Sequence, residues 1–304
     1  MALLLLQTAN GSTQHLRQKF AKSVRRVAVA YSRSFSTVSP DPAQTTQPAT
    51  IRLFQYAICP FCNKSKAFLD YSGLQYESIE VNPLSKNEIK WSKDYRKVPI
   101  ATVANSTGDA EQEEATVLKG SDEIVNGLLE QSWVVDQLES KWSSTEKSSN
   151  MTFAQFAENE SARQWIDYTN KELAVLLYPN LCPTLSQSYQ AFEYVNKVPS
   201  FSPFQRFSIR TVGALAMYLA AFRVKKKHSI SDERVALDKE LQKPVHELEQ
   251  TGKFLSGQSE PHLGDLAVFG AFRGLQGTEI HREILQDKPV LAEWYQRVDS
   301  KLQK

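Results

Sequence analysis

Residues 54–73 read FQYAICPFCNKSKAFLDYSG and place two cysteines, Cys59 and Cys62, on either side of a Pro-Phe pair. The β-rich run IRLFQY (51–56) leads into this stretch. Apolar residues then recur at helical spacing as far as Gly73, a residue type that commonly ends a helix. The stretch therefore predicts a strand that turns directly into a helix, with the first cysteine at the turn.

The predicted position of Cys59 favours a reactive thiolate. A sulfur at a helix start faces unpaired backbone N–H groups and the positive end of the helix dipole, which can lower a thiol pKa from about 8.5 to roughly 3.5–7.5. Pro60 suits the first helical turn, because its fixed φ is helical and its missing N–H has no partner there anyway. We therefore predict Cys59 as the nucleophile and Cys62, one turn away, as a resolving or helper thiol.

Two other interpretations of the cysteine pair stay open. A zinc site would need two more ligands, but Cys182 and the five histidines are scattered without metal-ligand spacing, so no metal is predicted. Two inert core cysteines would not explain a proline between them at a helix start.

Two later segments add to the pattern. Val98-Pro99 places a proline at the entry to a strand, where it cannot donate to the ladder and marks an edge or a special turn. In KGSDEI, Ser121 is predicted as a helix N-cap whose neighbouring N–H groups could bind a carboxylate. The alternative is a capped helix without any ligand.

The order of the predicted elements is βαβα and then ββα over residues 51–139, with one helix from Ser121 to Glu139. This order predicts a small mixed sheet flanked by helices, an α/β thioredoxin-like domain. Residues 140–150 are polar and predict a linker, and residues 151–304 predict an all-helical domain. Within it, VGALAMYLAAF (212–222) is expected to be a buried helix.

Composition limits the class of protein. The formal net charge of the 304-residue chain is +2, so no nucleic-acid partner is expected. Three cysteines do not suit a disulfide-stapled secreted fold. No apolar run approaches the roughly 18 residues that span a bilayer, so we expect a soluble or peripherally attached protein.

The first 50 residues have the composition of a targeting segment and linker. They hold six basic side chains before Asp41, the first acid, and are rich in Ser and Thr. This composition predicts a mitochondrial transit peptide, with a plastid or the Golgi membrane as alternative destinations. A disordered tail and an amphipathic membrane anchor are the competing interpretations.

The motifs resemble a known family. A thioredoxin-like domain with CPFC and Val-Pro, followed by Gly-Ser at a helix start and an all-helical domain, resembles the glutathione transferase architecture over residues 51–304. The run LFQYAICPFCNKSKAFLDYSG, the segments EVNP and YRKVPI, and later VGALAMYLAAFRVKKKHSI and HLGDLAVFGAFRGLQG are similar to the membrane-associated prostaglandin E synthase type 2 family.

The resemblance implies roles for particular residues. Cys59 would be the catalytic thiol, with the Tyr56 hydroxyl near it and Cys62 as the second cysteine. A glutathione site would be lined by Phe61, Val98, the cis-proline Pro99, Ser121 and Asp122. The family has an acid before the serine, whereas this chain has Gly120 there and Asp122 one position after Ser121.

The resemblance also implies an activity and partners. The reaction would convert the endoperoxide prostaglandin H2 to prostaglandin E2, with glutathione and haem as cofactors, in a homodimer with peripheral membrane contact. Two alternatives stay open: a glutaredoxin-like glutathione-dependent thiol transferase, and a non-enzymatic glutathione–haem binding protein.

Overall fold

The computed structural model describes residues 48–105, 115–144 and 151–302. The N-terminal domain has the predicted α/β thioredoxin-like architecture, in the order β1, α1, β2, β3, β4, α2 and α3, with a short 3-10 turn Asn87–Ile89 before β3. Its elements are β1 Ala49–Gln55, α1 Pro60–Ser72, β2 Tyr76–Glu80, β3 Ile100–Asn105, β4 Thr116–Lys119, α2 Ser121–Leu129 and α3 Ser132–Ser144. The four strands form one mixed sheet in the order β2-β1-β3-β4.

The topology places the Cys59 turn at the C-terminal end of a central strand. β1 is parallel to β2 and antiparallel to β3, and β3 is antiparallel to β4. β1 is therefore a central strand, and Ile51 and Leu53 in it are almost fully buried. As predicted, α1 begins at Pro60 and ends at Gly73, which takes the left-handed conformation (φ 70°) that favours glycine.

The second domain is helical throughout the part that the structure describes. Its main helices are α4 Glu160–Tyr168, α5 Ala174–Leu181, α6 Leu185–Ala191, α7 Pro203–Ser208, α8 Ala214–Lys227, α9 Glu233–Thr251, α10 Leu263–Arg273, α11 Glu279–Asp287 and α12 Pro289–Lys301. π turns join α4 to α5 and α7 to α8. The fold class predicted from the sequence is thus confirmed.

The two domains meet mainly where α1 packs on α10. A Cβ atom at Gly270 would lie 2.6 Å from both the Asn63 carbonyl oxygen and the Lys64 Cα, so only glycine allows this approach. Arg273 at the end of α10 forms an ion pair with Asp70 of α1. Because both faces of α1 are covered, by the sheet and by α10, nearly every residue of α1 is buried.

Two local predictions are wrong, the single helix over 121–139 and the N-cap at Ser121. The single helix expected over 121–139 is two helices, α2 and α3, with a break at Glu130 and Gln131, and α3 continues to Ser144 inside the expected linker. Ser121 is the first helical residue, and the N-cap is Gly120. The targeting segment and linker were predicted over residues 1–50. Residues 1–47 lie outside the described residues, so targeting stays a prediction, whereas β1 already begins at Ala49.

The apolar run at 212–222 is also not the buried helix that was expected. α7, the π turn and α8 form one 25-residue helix, Pro203–Lys227, of which little is buried. Within the described ranges it is the one helix long and apolar enough to cross a membrane by length and composition alone. Its exposed large side chains form an apolar stripe: Phe204, Phe207, Val212, Leu215, Leu219 and Phe222. We refer to these six residues as the exposed apolar stripe.

Candidate active site

A cleft opens between the two domains beside the start of α1. The N-terminal domain contributes Tyr56, Cys59, Phe61 and Val98 to its lining, and the helical domain contributes Tyr178, Phe192, Tyr194 and Met217. The cleft holds about 960 Å³ of space, its open mouth included. The charged side chains in its lining are Lys86 and Lys97.

Backbone and side-chain hydrogen bonds fix the loop that carries Cys59. The Cys59 N–H donates to the Tyr56 carbonyl at 3.0 Å. Buried Asn63 donates its amide to the Ala57 carbonyl at 2.7 Å and to the Cys59 carbonyl at 3.0 Å. On the other side, the Ala57 N–H donates to the Glu80 carboxylate at 3.0 Å. The loop is therefore held from α1 and from β2 at once.

The environment of Cys59 lowers its thiol pKa. The largest cause is the hydrogen bond from the Cys62 thiol, which outweighs the opposing effect of burial. The backbone N–H groups of Cys62 and Phe61 and the hydroxyl of Tyr178 also stabilise the thiolate. Cys59 therefore has the properties of a nucleophile.

The other two cysteines differ from Cys59. Burial raises the pKa of Cys62 well above its ordinary value, and its hydrogen bond to Cys59 raises it further. Burial raises the pKa of Cys182 to about 11. Cys62 therefore keeps its proton and can donate a hydrogen bond to the Cys59 thiolate. Cys182 also keeps its proton, so its thiol is unreactive and it serves as a control cysteine in the experiments below.

Tyr178 is a site residue that the sequence did not reveal. Its hydroxyl hydrogen-bonds the Cys59 thiol from α5, in the other domain. Tyr56, the tyrosine predicted from the resemblance, lines the same cleft near Cys59, and its pKa is raised by burial and by the nearby thiol. No signal in the sequence links Tyr178 to the cysteine motif.

A second unpredicted group lies behind the cleft wall. Glu80 accepts hydrogen bonds from the Ala57 N–H, from Gln55 Nε2 at 3.2 Å and from the Tyr194 hydroxyl. Burial raises the pKa of Glu80 to about 7, although these hydrogen bonds and the charge of Lys66 oppose the rise. Glu80 is the first residue of the EVNP segment that forms part of the family resemblance, but the sequence assigned it no role.

The predicted glutathione-site residues fall into two groups. Phe61 and Val98 line the cleft, and the Val98-Pro99 peptide bond is cis. Ser121 is buried at the start of α2 and lies outside the lining of the cleft, although the preceding Gly120 N–H donates to the Pro99 carbonyl at 2.9 Å. Gly120 has φ 89°, a conformation that favours glycine over the acid of the family pattern.

Asp122 has partners within the protein. Its carboxylate accepts from Lys64 Nζ at 2.5 Å and from Asn170 Nδ2 at 2.9 Å. Although partial desolvation of the carboxylate beside Lys64 opposes ionisation, the Lys64 ammonium holds the pKa of Asp122 below its usual range. In the described part of the chain, no group of three or more His, Cys, Asp or Glu side chains is placed to hold a metal ion.

Comparisons with known proteins agree with this architecture. Residues 53–132 match the family model described as "Glutathione S-transferase, N-terminal domain". The glutathione transferase GSTFuA3 from Phanerochaete chrysosporium aligns with 83% of this chain and 97% of its own, with a TM-score of 0.52 and 14% identity, a likeness of fold alone. Glutaredoxin 1 from Rickettsia prowazekii is 40% identical over 60 residues, 18% of this chain and 63% of that protein.

A longer alignment decides the family. Prostaglandin E synthase 2 from Danio rerio is 30% identical over 275 residues, which cover 83% of this chain and 71% of that protein. An alignment of this length extends over both domains. The chain belongs to the prostaglandin E synthase 2 family.

Proposed function

We propose that the protein is an isomerase that converts prostaglandin H2 to prostaglandin E2, with Cys59 as the catalytic thiol and glutathione as cosubstrate. The observation that carries the proposal is a thiol of lowered pKa in the lining of a large, mostly apolar cleft. Lys86 and Lys97 give this cleft a positive charge, which suits an apolar substrate with a carboxylate.

The proposed chemistry is redox-neutral. The Cys59 thiolate, or the thiolate of bound glutathione, attacks one peroxide oxygen; the O–O bond breaks, an S–O bond forms and the other oxygen leaves as an alkoxide. A cleft hydroxyl protonates this alkoxide. A base then removes the proton from the carbon that bears the S–O oxygen, the C=O bond forms, and the S–O bond breaks to return the thiolate. Because only the thiolate attacks, a lowered pKa raises the reactive fraction at neutral pH.

Cys59 and the hydroxyls around it have distinct proposed tasks. Tyr178 holds the thiolate through its hydrogen bond and thereby keeps the sulfur oriented. Tyr56, in the same lining, is placed to donate to an oxyanion that develops near the sulfur. Glutathione would lie against Phe61 and the Val98 backbone, with Ser121 and Asp122 as its further predicted contacts. This placement rests on family membership and on the match to the transferase N-terminal domain.

Haem is an expectation from the family resemblance alone. The lining of the cleft contains no histidine among the described residues, so the protein groups able to ligate iron there are Cys59, Met217 and the tyrosines. This donor set does not match a histidine-ligated haem. No step of the proposed reaction is therefore derived through haem.

A specific observation favours a second candidate, a glutathione-dependent thiol transferase. The Cys62 thiol hydrogen-bonds Cys59, and both cysteines are reduced in the structure. Such a pair can resolve a mixed disulfide on Cys59. The similarity to glutaredoxin 1 extends over 60 residues, 18% of this chain.

One experiment separates the candidates. Prostaglandin H2 conversion and reduction of a small mixed disulfide are measured side by side, with glutathione and without haem, for the native protein, Cys59→Ser and the control Cys182→Ser. The isomerase predicts prostaglandin E2 formation that only Cys59→Ser abolishes. Disulfide reduction with E2 at the spontaneous background would favour the transferase. A strong haem band with glutathione and little turnover of either substrate would favour a carrier.

We also propose a homodimer and peripheral membrane contact, in a mitochondrial protein. The support is the exposed apolar stripe, since surfaces of this kind commonly contact another protein or lipid. Light scattering during size-exclusion chromatography tests the dimer, and vesicle flotation tests the lipid contact. Imaging a fusion of residues 1–50 to a fluorescent protein tests the destination against the plastid and Golgi alternatives.

A further inference from the structure

We propose that Tyr194 and Glu80 form the acid–base pair of the cleft: the Tyr194 hydroxyl contacts the substrate, and Glu80 behind it stores the proton. This inference rests on the proposed isomerase, whose reaction must deliver one proton to an alkoxide and remove one from a carbon. Tyr194 and Glu80 come from different domains, and neither was part of the cysteine motif.

The contacts of Glu80 point away from a purely structural carboxylate. Glu80 ends β2 and lies next to the loop that carries the thiol. Its carboxyl group accepts from the Ala57 N–H at 3.0 Å and from Gln55 Nε2 at 3.2 Å, and its third partner is the Tyr194 hydroxyl. The first two donors fix the orientation of the carboxyl group, which leaves the bond to Tyr194 as the one through which a proton can move.

Tyr194 connects this carboxyl group to the substrate space. It lies in the 3-10 turn Glu193–Lys197 and lines the same cleft as Cys59. Its ring stacks on Phe192, with ring centroids 6.3 Å apart and an interplanar angle of 26°. Tyr194 therefore borders the cleft and interacts with Glu80 through its hydroxyl, which offers a path for a proton between substrate and carboxyl group.

The electrostatic setting fits a group that changes charge during turnover. Burial raises the pKa of Glu80 to about 7, and a group whose pKa lies near the working pH is an efficient acid and base. The ionisable groups that face it are Lys66 and Cys62 from α1, Tyr56 from the thiol loop and Tyr194 from the helical domain. Lys66 is the one cation among them, and it favours the carboxylate.

The proton balance closes within the pair. When the O–O bond breaks, Tyr194 gives its proton to the alkoxide and takes the proton of the neutral Glu80. When the carbonyl forms, Tyr194 takes the proton from the carbon and passes its own to the Glu80 carboxylate. The pair ends as it began, as an isomerisation without net proton release requires.

The test compares Glu80→Gln, Glu80→Asp and Tyr194→Phe with the control Glu77→Gln, a change at an exposed position of the same strand. Glutamine keeps an acceptor for the Ala57 N–H but cannot store a proton. We expect Glu80→Gln and Tyr194→Phe to slow E2 formation by about 100-fold or more, the usual contribution of general acid–base catalysis. Glu80→Asp should restore part of the rate, and Glu77→Gln should match the native protein.

Two readouts separate a proton-storing role from a structural one. With substrate deuterated at the carbon that loses its proton, the isotope effect on turnover should grow in Glu80→Gln and Tyr194→Phe, because proton removal becomes slower. Alkylation of Cys59 by iodoacetamide should stay within a few-fold of native in both variants. If E2 formation and Cys59 alkylation fall in parallel in these variants while the isotope effect stays unchanged, the proposal is overturned.

An infrared titration tests the Tyr194–Glu80 pair without turnover. Its result therefore does not depend on whether the proposed function is correct. The neutral carboxyl band of the native protein should disappear as the pH rises through about 7 and should be missing in Glu80→Gln. In Tyr194→Phe the band should shift, because its hydrogen bond is lost. A native protein without such a band, or a band that Tyr194→Phe leaves unchanged, would show that no pair exists. Absent E2 formation with an intact band would instead reject the isomerase reaction.

Discussion

The Tyr178 hydroxyl hydrogen-bonds the Cys59 thiol across the boundary between the two domains. The reactive sulfur therefore depends on both domains. The thioredoxin-like domain supplies the helix start and the backbone N–H groups, and α5 of the helical domain supplies the Tyr178 hydroxyl. This arrangement makes thiol reactivity a measure of how the domains are docked.

Replacing Tyr178 with phenylalanine should raise the pKa of the Cys59 thiol. Losing a hydrogen bond to a charged group removes about 1.5 kcal/mol or more of thiolate stabilisation, which is roughly tenfold in reactive fraction below the pKa. The iodoacetamide rate at Cys59 should fall by about this factor near neutral pH, and its midpoint should move to higher pH. Tyr189→Phe is the control, since Tyr189 packs on Arg210 at the surface. An unchanged midpoint in Tyr178→Phe would mean that backbone N–H groups and Cys62 alone hold the thiolate.

The sequence was sufficient for the parts of the fold whose signals are local. Pro60 and Gly73 mark the two ends of α1, and the strand before Cys59 has a clear β pattern. The break between α2 and α3, at Glu130 and Gln131, has no proline or glycine to mark it. Likewise, an apolar run such as 212–222 predicts a helix but does not say which neighbours cover it.

The site was predictable only on one side of the cleft. Tyr56, Cys59, Cys62 and Val98 belong to short motifs with a direct physical meaning. Tyr178 and Tyr194 reach the same space from helices far along the chain, and only the docking of the two domains brings them there. No spacing rule within a single sequence encodes such a contact.

The stability of the protein should depend on pH through Glu80. Its pKa is raised in the folded state to about 7 from 4.5. The folded protein therefore binds more protons than the unfolded chain between these values, and the unfolding free energy should fall as pH rises through this window. Urea unfolding from pH 4.5 to 8 should show a loss of about 2–3 kcal/mol in the native protein relative to Glu80→Gln. If the unfolding free energy changes with pH equally in the native protein and in Glu80→Gln, the pKa of Glu80 is not raised by folding. The control Glu77→Gln should show the pH dependence of the native protein.

Adding one methyl group at Gly270 should weaken the docking of the domains. The new Cβ would lie 2.6 Å from the Asn63 carbonyl oxygen and the Lys64 Cα, and backbone at this distance must move. We expect Gly270→Ala to lower the unfolding free energy by about 1–3 kcal/mol or more, as overpacking commonly does. Because Asn63 holds the Cys59 loop, thiol alkylation should change as well.

The matched control for this change is Gly213→Ala. Gly213 is also helical, but its added Cβ would lie 3.5 Å or more from its neighbours, an ordinary contact. This variant should unfold at nearly the native urea concentration. If Gly270→Ala and Gly213→Ala lose the same unfolding free energy, the close approach of α1 and α10 does not limit stability.

Variants at Asp122 can separate its structural role from its predicted role in binding glutathione. Its partner Lys64 has a side chain that is only 4% exposed, whereas the Asp122 side chain is 53% exposed. Asp122→Asn removes the charge that compensates Lys64 and should lower the unfolding free energy by about 1–3 kcal/mol. Asp94→Asn, at the exposed Asp94–Lys119 pair, should leave the unfolding free energy nearly unchanged.

The double variant Lys64→Met with Asp122→Asn then decides what the carboxylate does for the ligand. Without the buried ammonium there is no uncompensated charge, so the double variant should recover much of the stability that Asp122→Asn loses. Its affinity for glutathione, measured by calorimetry, should equal that of the native protein if the carboxylate serves only Lys64 and Asn170. Affinity that stays low in the double variant although stability recovers would place the Asp122 carboxylate on glutathione itself. Because the two readouts move separately, a weakened fold cannot be mistaken for a lost contact.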